Sequence, residues 1–399
     1  MEPAPVTAEE FPAFVTAFQA AFHRETEPLD VVRLLRIVER ERTLAVRDDG
    51  RIVATTAIHS RHLTVPGGEV PVAAVTLVGV LPTHRRRGLM TALMRRQLAD
   101  VHDAGAEAVA ALWASEAAIY GRFGYGMAAE NAELRVDRVH ARLRMAPTRQ
   151  VRLCRPAEAV EAMRPIHDAA RRSRPGMLDR AGLWWEVRID DPEAERNGTG
   201  PLRAAVVDDA AYALYAIREQ WQDRRAASEV RVRELVASTP EGAAAIWGFL
   251  LGLDLTSRLV YEMAPRDEPL VHMLADGRAV RTAVGDSLWV RLVDLPRALT
   301  ERAYLQPFEV VLDVGDEVCP WNAGRWALRW DGTAATCTRT ALPAGLALGA
   351  AELGAAHLGG TTLDVLARAG RVRELRPGAL AAASRGFAWD RAPWCPEIF

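Results

Sequence analysis

The feature that most constrains this chain is a stretch in which an apolar strand leads through an arginine-rich turn into a helix. Residues 72–80 are almost all apolar and rich in β-branched side chains, which predicts a strand buried on both faces. Pro82 ends this strand, and residues 84–87 are cationic. Gly88 then opens a helix whose apolar residues recur at spacings of three and four, so the local order is strand, basic turn and helix.

A helix that begins directly after a basic turn can bind phosphate. Its first backbone N–H groups lack partners within the helix, and its dipole places partial positive charge at the same end. Arg85, Arg86 and Arg87 add charge there. The same pattern also suits an ordinary β-turn-α unit whose arginines are solvated, so neighbouring residues have to decide between the two.

The stretch resembles motif A of the GCN5-related N-acetyltransferases (GNAT), in which an Arg/Gln-x-x-Gly-x-Gly/Ala turn holds the pyrophosphate of coenzyme A. Arg85, Gly88 and Met90 occupy those positions, and Met90 departs from the pattern. The resemblance implies that backbone N–H groups at the splayed end of the preceding strand, in Gly79, Val80 and Leu81, face the acetyl and pantetheine portions.

A tyrosine follows at the position that this resemblance makes important. Residues 108–113 predict the next parallel strand, and Ser115 is placed to cap a short helix that carries Tyr120 and ends at Gly121. A thiolate with a pKa of about 8.5 leaves more easily when a phenol, with a pKa of about 10, donates a proton to it. Tyr120 is therefore the candidate general acid, and a packing tyrosine is the alternative.

Length and composition limit the classes of protein that remain. A chain of 399 residues predicts two or three domains, and a net charge of −2 gives no support for a nucleic-acid or membrane partner. The four cysteines are widely spaced and fit reduced core residues rather than a metal or disulfide framework. Without a signal peptide or an 18-residue apolar run, we expect a cytoplasmic protein with no membrane span.

The remaining pattern mixes helices and strands along the whole chain. A capping box at Thr7 and Glu10 predicts a first helix, and a second is expected over residues 29–40. Further elements are predicted in two sets: helices at residues 156–173, 178–189, from 240 and 361–369; strands at residues 43–47, 51–60, 202–208, 211–218, 229–238, 259–262, 288–292, 308–314 and 325–330. The second third repeats the order of the first without an arginine-glycine turn, so it is expected to bind no coenzyme.

Over its full length the chain resembles the Eis-type (enhanced intracellular survival) N-acetyltransferases, which acetylate aminoglycoside antibiotics. The residues that carry the resemblance lie in four groups: Pro82 to Leu89, Ala114 to Glu116, Ile119 to Gly126, and Tyr212 to Tyr215 together with the terminal Phe399. The resemblance implies an α+β fold with two tandem GNAT-like domains and a C-terminal sterol-carrier-like domain. The expected domains are residues 1–150, 151–286 and 287–399, and the expected assembly is a homohexamer.

The resemblance also implies the site. Acetyl-CoA is the expected co-substrate, a small-molecule amine is the acceptor, and no metal is required. Tyr120 is the acid, and the main-chain carboxylate of Phe399 is the base. The expected coenzyme contacts are Gly79, Val80, Leu81, Arg85, Arg86, Arg87, Gly88, Leu89, Met90, Thr91, Ala92, Ser115 and Glu116.

Two other functions stay open at this stage. The acceptor could be a protein lysine, which would make the chain a regulatory modifier. The sterol-carrier resemblance also allows a lipid-binding or acyl-CoA-binding protein in which transferase activity is incidental. A polycationic aminoglycoside needs several carboxylates around a wide cleft, so the size and acidity of the pocket discriminate between these acceptors.

Overall fold

The computed structural model describes residues 2–399 as a mixed α and β protein. The helices are α1 Phe11–Ala21, α2 Pro28–Ile37, α3 Leu89–Ala104, α4 Ala117–Tyr120, α5 Pro156–Arg172, α6 Trp184–Ile189, α7 Pro240–Gly252, α8 Leu270–Met273, α9 Leu295–Thr300, α10 Ala350–Ala356, α11 Leu363–Arg368 and α12 Ala379–Phe387. The strands are β1 Thr43–Asp48, β2 Arg51–Val65, β3 Gly68–Val80, β4 Val109–Trp113, β5 Gly126–Met127, β6 Glu130–Asp137, β7 Arg152–Cys154, β8 Arg203–Val207, β9 Ala211–Arg218, β10 Trp221–Gln222, β11 Arg225–Ala226, β12 Ser228–Ala237, β13 Thr256–Pro265, β14 Val280–Asp286, β15 Leu288–Leu292, β16 Phe308–Gly315, β17 Gly324–Trp330, β18 Ala335–Arg339, β19 Leu346–Gly349 and β20 Val372–Glu374.

These elements form two compact units that interleave along the chain. The first unit holds the residues before Glu130, then Ser287–Asp390 and Ile398–Phe399. The second unit holds Glu130–Asp286 and Arg391–Glu397. The predicted domain boundaries at residues 150 and 286 stay a prediction. The two units do not test them, because each unit combines segments that are distant in the sequence.

The main sheet of the first unit has the strand order β1-β2-β3-β4-β15-β5. Strands β3 and β4 run parallel but pair only from Val72 to Ala74, while β3 stays paired with β2 as far as Val80. The register against β2 shifts near Leu77, whose φ of +51° departs from strand geometry. Past Ala74 the two central strands therefore separate and leave the edge of β3 open.

Strand β15 completes this sheet from a distant part of the chain. It lies antiparallel to both β4 and β5, and its leucine and valine side chains are buried. The sequence correctly predicts a strand here but places it at the start of the last domain. A short apolar run shows that a strand is buried and cannot show which sheet buries it.

The C-terminal part of the first unit is a five-stranded sheet in the order β18-β17-β16-β19-β20, with α10, α11 and α12. Helix α10 packs on β5 and β15, where glycines allow the backbones to approach closely. A Cβ atom built on Gly126 would lie 1.9 Å from the carbonyl oxygen of Ala351, and one on Gly354 would lie 2.2 Å from that of Val290.

The second unit is built on a seven-stranded sheet in the order β14-β6-β13-β12-β9-β8-β7. Among the neighbouring strands described in this sheet, β12 and β13 run parallel and the other pairs are antiparallel. Helices α5 and α7 pack on the sheet. The buried aromatics of its core include Trp185, Tyr212, Tyr215, Trp247, Tyr261 and Trp394.

Most predicted elements are present, with shifts at their ends. The reciprocal bonds of the predicted Thr7–Glu10 capping box are present, at 3.0 and 3.3 Å, but they lie in the turn before α1, whose N-cap residue is Glu10. The second helix stops at Ile37 rather than residue 40, and the helix predicted over 178–189 begins only at Trp184. None of the helices that the structure describes combines the length and apolarity that a membrane crossing requires.

We predict that Gly126→Ala strongly destabilises the first unit. The added methyl group would overlap the backbone of α10, and overpacking against rigid backbone costs about 3 kcal/mol. Gly315→Ala is the control, because a Cβ atom there meets nothing within 4 Å. Urea unfolding should show a lower midpoint for Gly126→Ala and little change for Gly315→Ala. Equal midpoints would contradict the close packing of α10 on β5.

Candidate active site

The turn between β3 and α3 has the backbone shape of an anion site. Arg86 and Gly88 adopt left-handed φ angles of +64° and +79°, and α3 begins at the next residue, Leu89. No side chain caps this helix, and a Cβ atom on Gly88 would meet nothing within 4 Å. The first N–H groups of α3 are therefore directed at open space, where the helix dipole favours an anion.

The three arginines of the turn have different surroundings. The guanidinium of Arg85 donates to the carbonyl of Ala21 at 3.1 Å, which fixes it beside the end of α1. Arg86 lines the open cavity described below. Arg87 lies 3.9 Å from the Asp48 carboxylate and is not among the residues that line the cavity. Arg85 and Arg86 are thus the better placed cations for an anionic ligand.

The open edge of β3 presents backbone N–H groups on one side only. The N–H of Leu81 donates to the carbonyl of Val53 at 2.9 Å and so belongs to the pairing with β2. Because successive N–H groups of a strand point to opposite sides, that of Val80 points away from β2 into the gap beyond Ala74. Val80, rather than Leu81, is therefore the donor available to a developing oxyanion.

Tyr120 lies at the end of α4, with its side chain 4% exposed. Burial raises the pKa of the Tyr120 phenol to about 12, although the nearby Ser115 hydroxyl hydrogen-bonds it and acts in the opposite direction. The sequence prediction that Ser115 caps α4 is wrong, since Glu116 occupies the N-cap position. The Ser115 side chain forms a hydrogen bond with the Tyr120 side chain instead.

A cavity of about 720 Å³ brings the turn, the strand edge and the tyrosine together. The predicted site residues that line it are Gly79, Val80, Arg85, Arg86, Gly88, Leu89, Met90, Thr91, Ser115, Glu116 and Tyr120. The predicted residues that do not line it are Leu81, Arg87, Ala92 and Phe399. Ala92 is already one turn into α3, where its N–H donates to the carbonyl of Gly88 at 3.0 Å. Phe399 is half-buried in the first unit.

Several lining residues were not predicted from the sequence. Ala21, Phe22 and His23 come from the end of α1, and the others are Val78, His84, Ile119 and Arg122. Phe22 is 40% exposed. The helix that precedes it is visible in the sequence, but its place beside the cavity is not. Only the fold shows that Gly79 lies against Ala21. A Cβ atom placed on Gly79 would lie 2.9 Å from the Ala21 Cβ.

The arrangement has a definite chemical capability. One part of the cavity can bind a polyanion through helix N–H groups and arginines, while the Val80 N–H can stabilise an oxyanion. The protonated phenol of Tyr120 can donate a proton to a leaving group in the same cavity. Within residues 2–399, no group of three or more His, Cys, Asp or Glu side chains is arranged to hold a metal ion.

Comparison with known families agrees with this capability. Residues 2–128 and residues 176–292 each match an acetyltransferase (GNAT) domain, and residues 295–396 match a sterol carrier protein domain. The fold is therefore α+β, with two GNAT domains and a C-terminal sterol-carrier-like domain, as the sequence predicted. The fold and site define the class as a GNAT N-acetyltransferase.

The full-length relatives narrow this class. An uncharacterized N-acetyltransferase of Streptomyces coelicolor is 43% identical over 100% of each chain. The N-acetyltransferase Eis of Mycobacterium tuberculosis is 35% identical over 96% of each chain. The crystal structure of Eis1 from Mycobacterium abscessus covers 100% of both chains with a TM-score of 0.87 and 33% identity. The chain belongs to the Eis family of N-acetyltransferases.

Proposed function

We propose that this N-acetyltransferase transfers the acetyl group of acetyl-CoA to a primary amine of an aminoglycoside or a similar polyamine. The observation that carries the proposal is the cavity that joins the uncapped start of α3, the open edge of β3 and Tyr120. These parts match the three demands of the reaction: binding of a pyrophosphate, polarisation of a thioester carbonyl and protonation of a thiolate.

The residues around the cavity fit coenzyme A. Gly88, Leu89, Met90 and Thr91 would bind the pyrophosphate through their N–H groups, with Arg85 and Arg86 supplying charge. Since Gly88 carries no side chain and has free space around it, the phosphates can approach the backbone there. The bound coenzyme supplies the acetyl thioester. Leu81, Arg87 and Ala92 are not assigned a contact, for the reasons given above.

The acceptor amine would enter from the side lined by the end of α1. Glu116 is exposed and lines the cavity, as do Ala21, Phe22 and His23 from the end of α1. The connection after His23 contains Glu25 and Glu27, both exposed. Carboxylates and an aromatic face are groups that attract a polycation, which supports a polyamine acceptor.

The transfer is a direct attack with balanced proton movements. The family resemblance assigns the base to the terminal carboxylate of Phe399. Because Phe399 belongs to the same unit as the cavity but does not line it, a water molecule held by that carboxylate would take the proton from the substrate ammonium. The amine nitrogen then forms a bond to the acetyl carbon while the carbon–sulfur bond breaks. The Val80 N–H stabilises the carbonyl oxygen, and Tyr120 gives its proton to the departing sulfur. The nitrogen then loses its second proton, which restores the Tyr120 phenol and leaves the neutral amide. Homohexameric assembly, which rests on the family resemblance, and a cytoplasmic location, which rests on the sequence, also stay proposals.

The direct test is steady-state release of coenzyme A with a panel of aminoglycosides. Tyr120→Phe and a chain lacking Phe399 should each lower kcat by about 10² to 10⁴, the usual contribution of one acid or base. Tyr125→Phe is the matched control, because Tyr125 is fully buried 6.1 Å from the Tyr120 ring and its hydroxyl has no hydrogen-bond partner in the described structure. Full activity of Tyr120→Phe would contradict the acid assignment. Turnover with a lysine peptide but with no aminoglycoside would contradict the acceptor.

The pKa of Tyr120 leads to a separate prediction about pH. The phenol acts in its protonated form, and burial raises its pKa to about 12, so it stays protonated throughout the range in which an ordinary tyrosine ionises. We expect kcat to show no decline between about pH 9 and 10.5, measured by stopped-flow release of coenzyme A. A decline with a pKa near 10 that disappears in Tyr120→Phe would contradict the assignment.

A further inference from the structure

The turn that follows Tyr120 packs against a buried arginine. Helix α4 ends at Tyr120, and the chain then turns through Gly121–Phe123 to Gly124, whose φ of +81° is left-handed. The N–H of Tyr125 donates to the carbonyl of Tyr120 at 3.3 Å, which closes the turn. A Cβ atom on Gly124 would lie 2.8 Å from both Nε and Cζ of Arg291. The Arg291 guanidinium therefore lies directly against the turn that carries the acid.

Arg291 is held by a carboxylate of the sterol-carrier-like domain. Its side chain, on β15, is 0% exposed. Its Nη2 donates to both carboxylate oxygens of Asp316, at 2.7 and 2.6 Å, and its Nη1 donates to the carbonyl of Leu292 at 3.1 Å. A planar guanidinium that is bound through two of its nitrogens has a fixed orientation. Arg291, Asp316 and the turn after Tyr120 all belong to the first unit.

Asp316 is in turn fixed by the residues that follow it. Its carboxylate accepts the N–H of Val318 at 3.2 Å, the N–H of Cys319 at 2.9 Å and the side-chain amide of Asn322 at 3.3 Å. Asn322 is buried, and its amide also donates to the carbonyl of Leu292 at 3.1 Å. The loop after β16 and the end of β15 are thus tied together by hydrogen bonds on both sides of Arg291.

A buried ion pair at this place contributes more to geometry than to stability. The energy needed to remove two charges from water offsets most of their attraction, so apolar side chains of similar volume often give the same stability. The side chains around the turn are apolar or aromatic, since Tyr120, Phe123, Tyr125 and Cys319 belong to one buried cluster. Apolar contacts have no preferred direction, whereas the bidentate pair sets one orientation of the guanidinium under the turn.

We propose that Arg291 and Asp316 are positioning residues for Tyr120, so that the sterol-carrier-like domain supports the acid of the first GNAT domain. The inference rests on the proposed function, in which Tyr120 protonates the departing sulfur. A general acid acts only within hydrogen-bond reach of its acceptor, and a displacement of about 1 Å can lower the rate about 10²-fold. A fixed support under the turn keeps the phenol within that reach.

The test removes both charges of the pair at once in the full-length protein. Arg291→Met combined with Asp316→Asn leaves no buried charge without a partner, and the new amide oxygen can still accept the backbone N–H groups of the loop. Removing both members of a buried pair often changes stability little. Arg42→Met combined with Glu107→Gln is the matched control. It removes another ion pair of the same unit, whose Glu107 side chain is 4% exposed and whose members do not line the cavity.

A conservative variant accompanies the double variant. Arg291→Lys keeps a positive charge for Asp316 but lacks the planar group that packs on Gly124. Thermal melting checks that each variant is folded, and calorimetric titration with coenzyme A checks that each binds the same number of coenzymes as wild type. A fall in the number of competent sites is thereby separated from a fall in kcat.

The readouts are kcat and KM for acetyl-CoA with an aminoglycoside acceptor, measured with Tyr120 present and in the Tyr120→Phe background. A pair that acts through Tyr120 affects the rate only while the phenol is present. We expect the double variant to lower kcat at least tenfold with an unchanged KM when Tyr120 is present. It should leave the kcat of Tyr120→Phe unchanged. Arg291→Lys should lie between the double variant and wild type, and the control should match wild type.

The contrary results are distinct from one another. An unchanged kcat in the double variant overturns the inference, and so does an equal loss in both backgrounds, which would mean general damage to the fold. If Tyr120→Phe is slow while the double variant keeps full kcat, the inference fails and the proposed function stands. If Tyr120→Phe itself keeps full kcat, the acid assignment fails and the inference falls with it. If the double variant does not fold, full activity of Arg291→Lys overturns the inference and a partial loss of kcat confined to the Tyr120 background supports it.

Discussion

The separation of β3 from β4 is the constraint on which the rest of this protein depends. Two parallel strands that paired along their whole length would satisfy each other's backbone groups and leave no opening in the sheet. Here pairing ends at Ala74, and the shift near Leu77 lets β3 keep its bonds to β2 while its other edge stays open. The cavity, the donor at Val80 and the access to Gly88 all follow from that opening.

The two GNAT domains differ at the helix that follows the first of two parallel strands. In the first, Gly88 leaves open space and the start of α3 has no side-chain cap. In the second, Thr239 caps α7 and a buried Glu234 lies where the register of β12 against β9 shifts. A buried carboxylate persists only with charged partners, and Arg180 and Arg188 supply them. A shared backbone is thus specialised by a few side chains.

The sequence predicts local features of this fold well because their signals are local. The apolar run before Pro82 and the glycine that opens α3 are read directly from residue type, and the structure has a strand and a helix there. The exclusion of Arg87 and Leu81 from the cavity depends instead on Asp48 and Val53, which lie more than 25 residues away. The Arg180–Glu397 contact joins residues 217 positions apart, and no periodic pattern could reveal it.

The central claim is that the first domain alone presents a coenzyme site, at the start of α3. Calorimetric titration with coenzyme A tests it most directly, on the wild-type chain and on Gly88→Ala. We expect one coenzyme per chain. We also expect affinity about tenfold weaker in the variant, because the free turn relaxes away from the left-handed conformation and binding must restore it at a cost of about 1 to 2 kcal/mol. Two coenzymes per chain, or an affinity unchanged by Gly88→Ala, would contradict it.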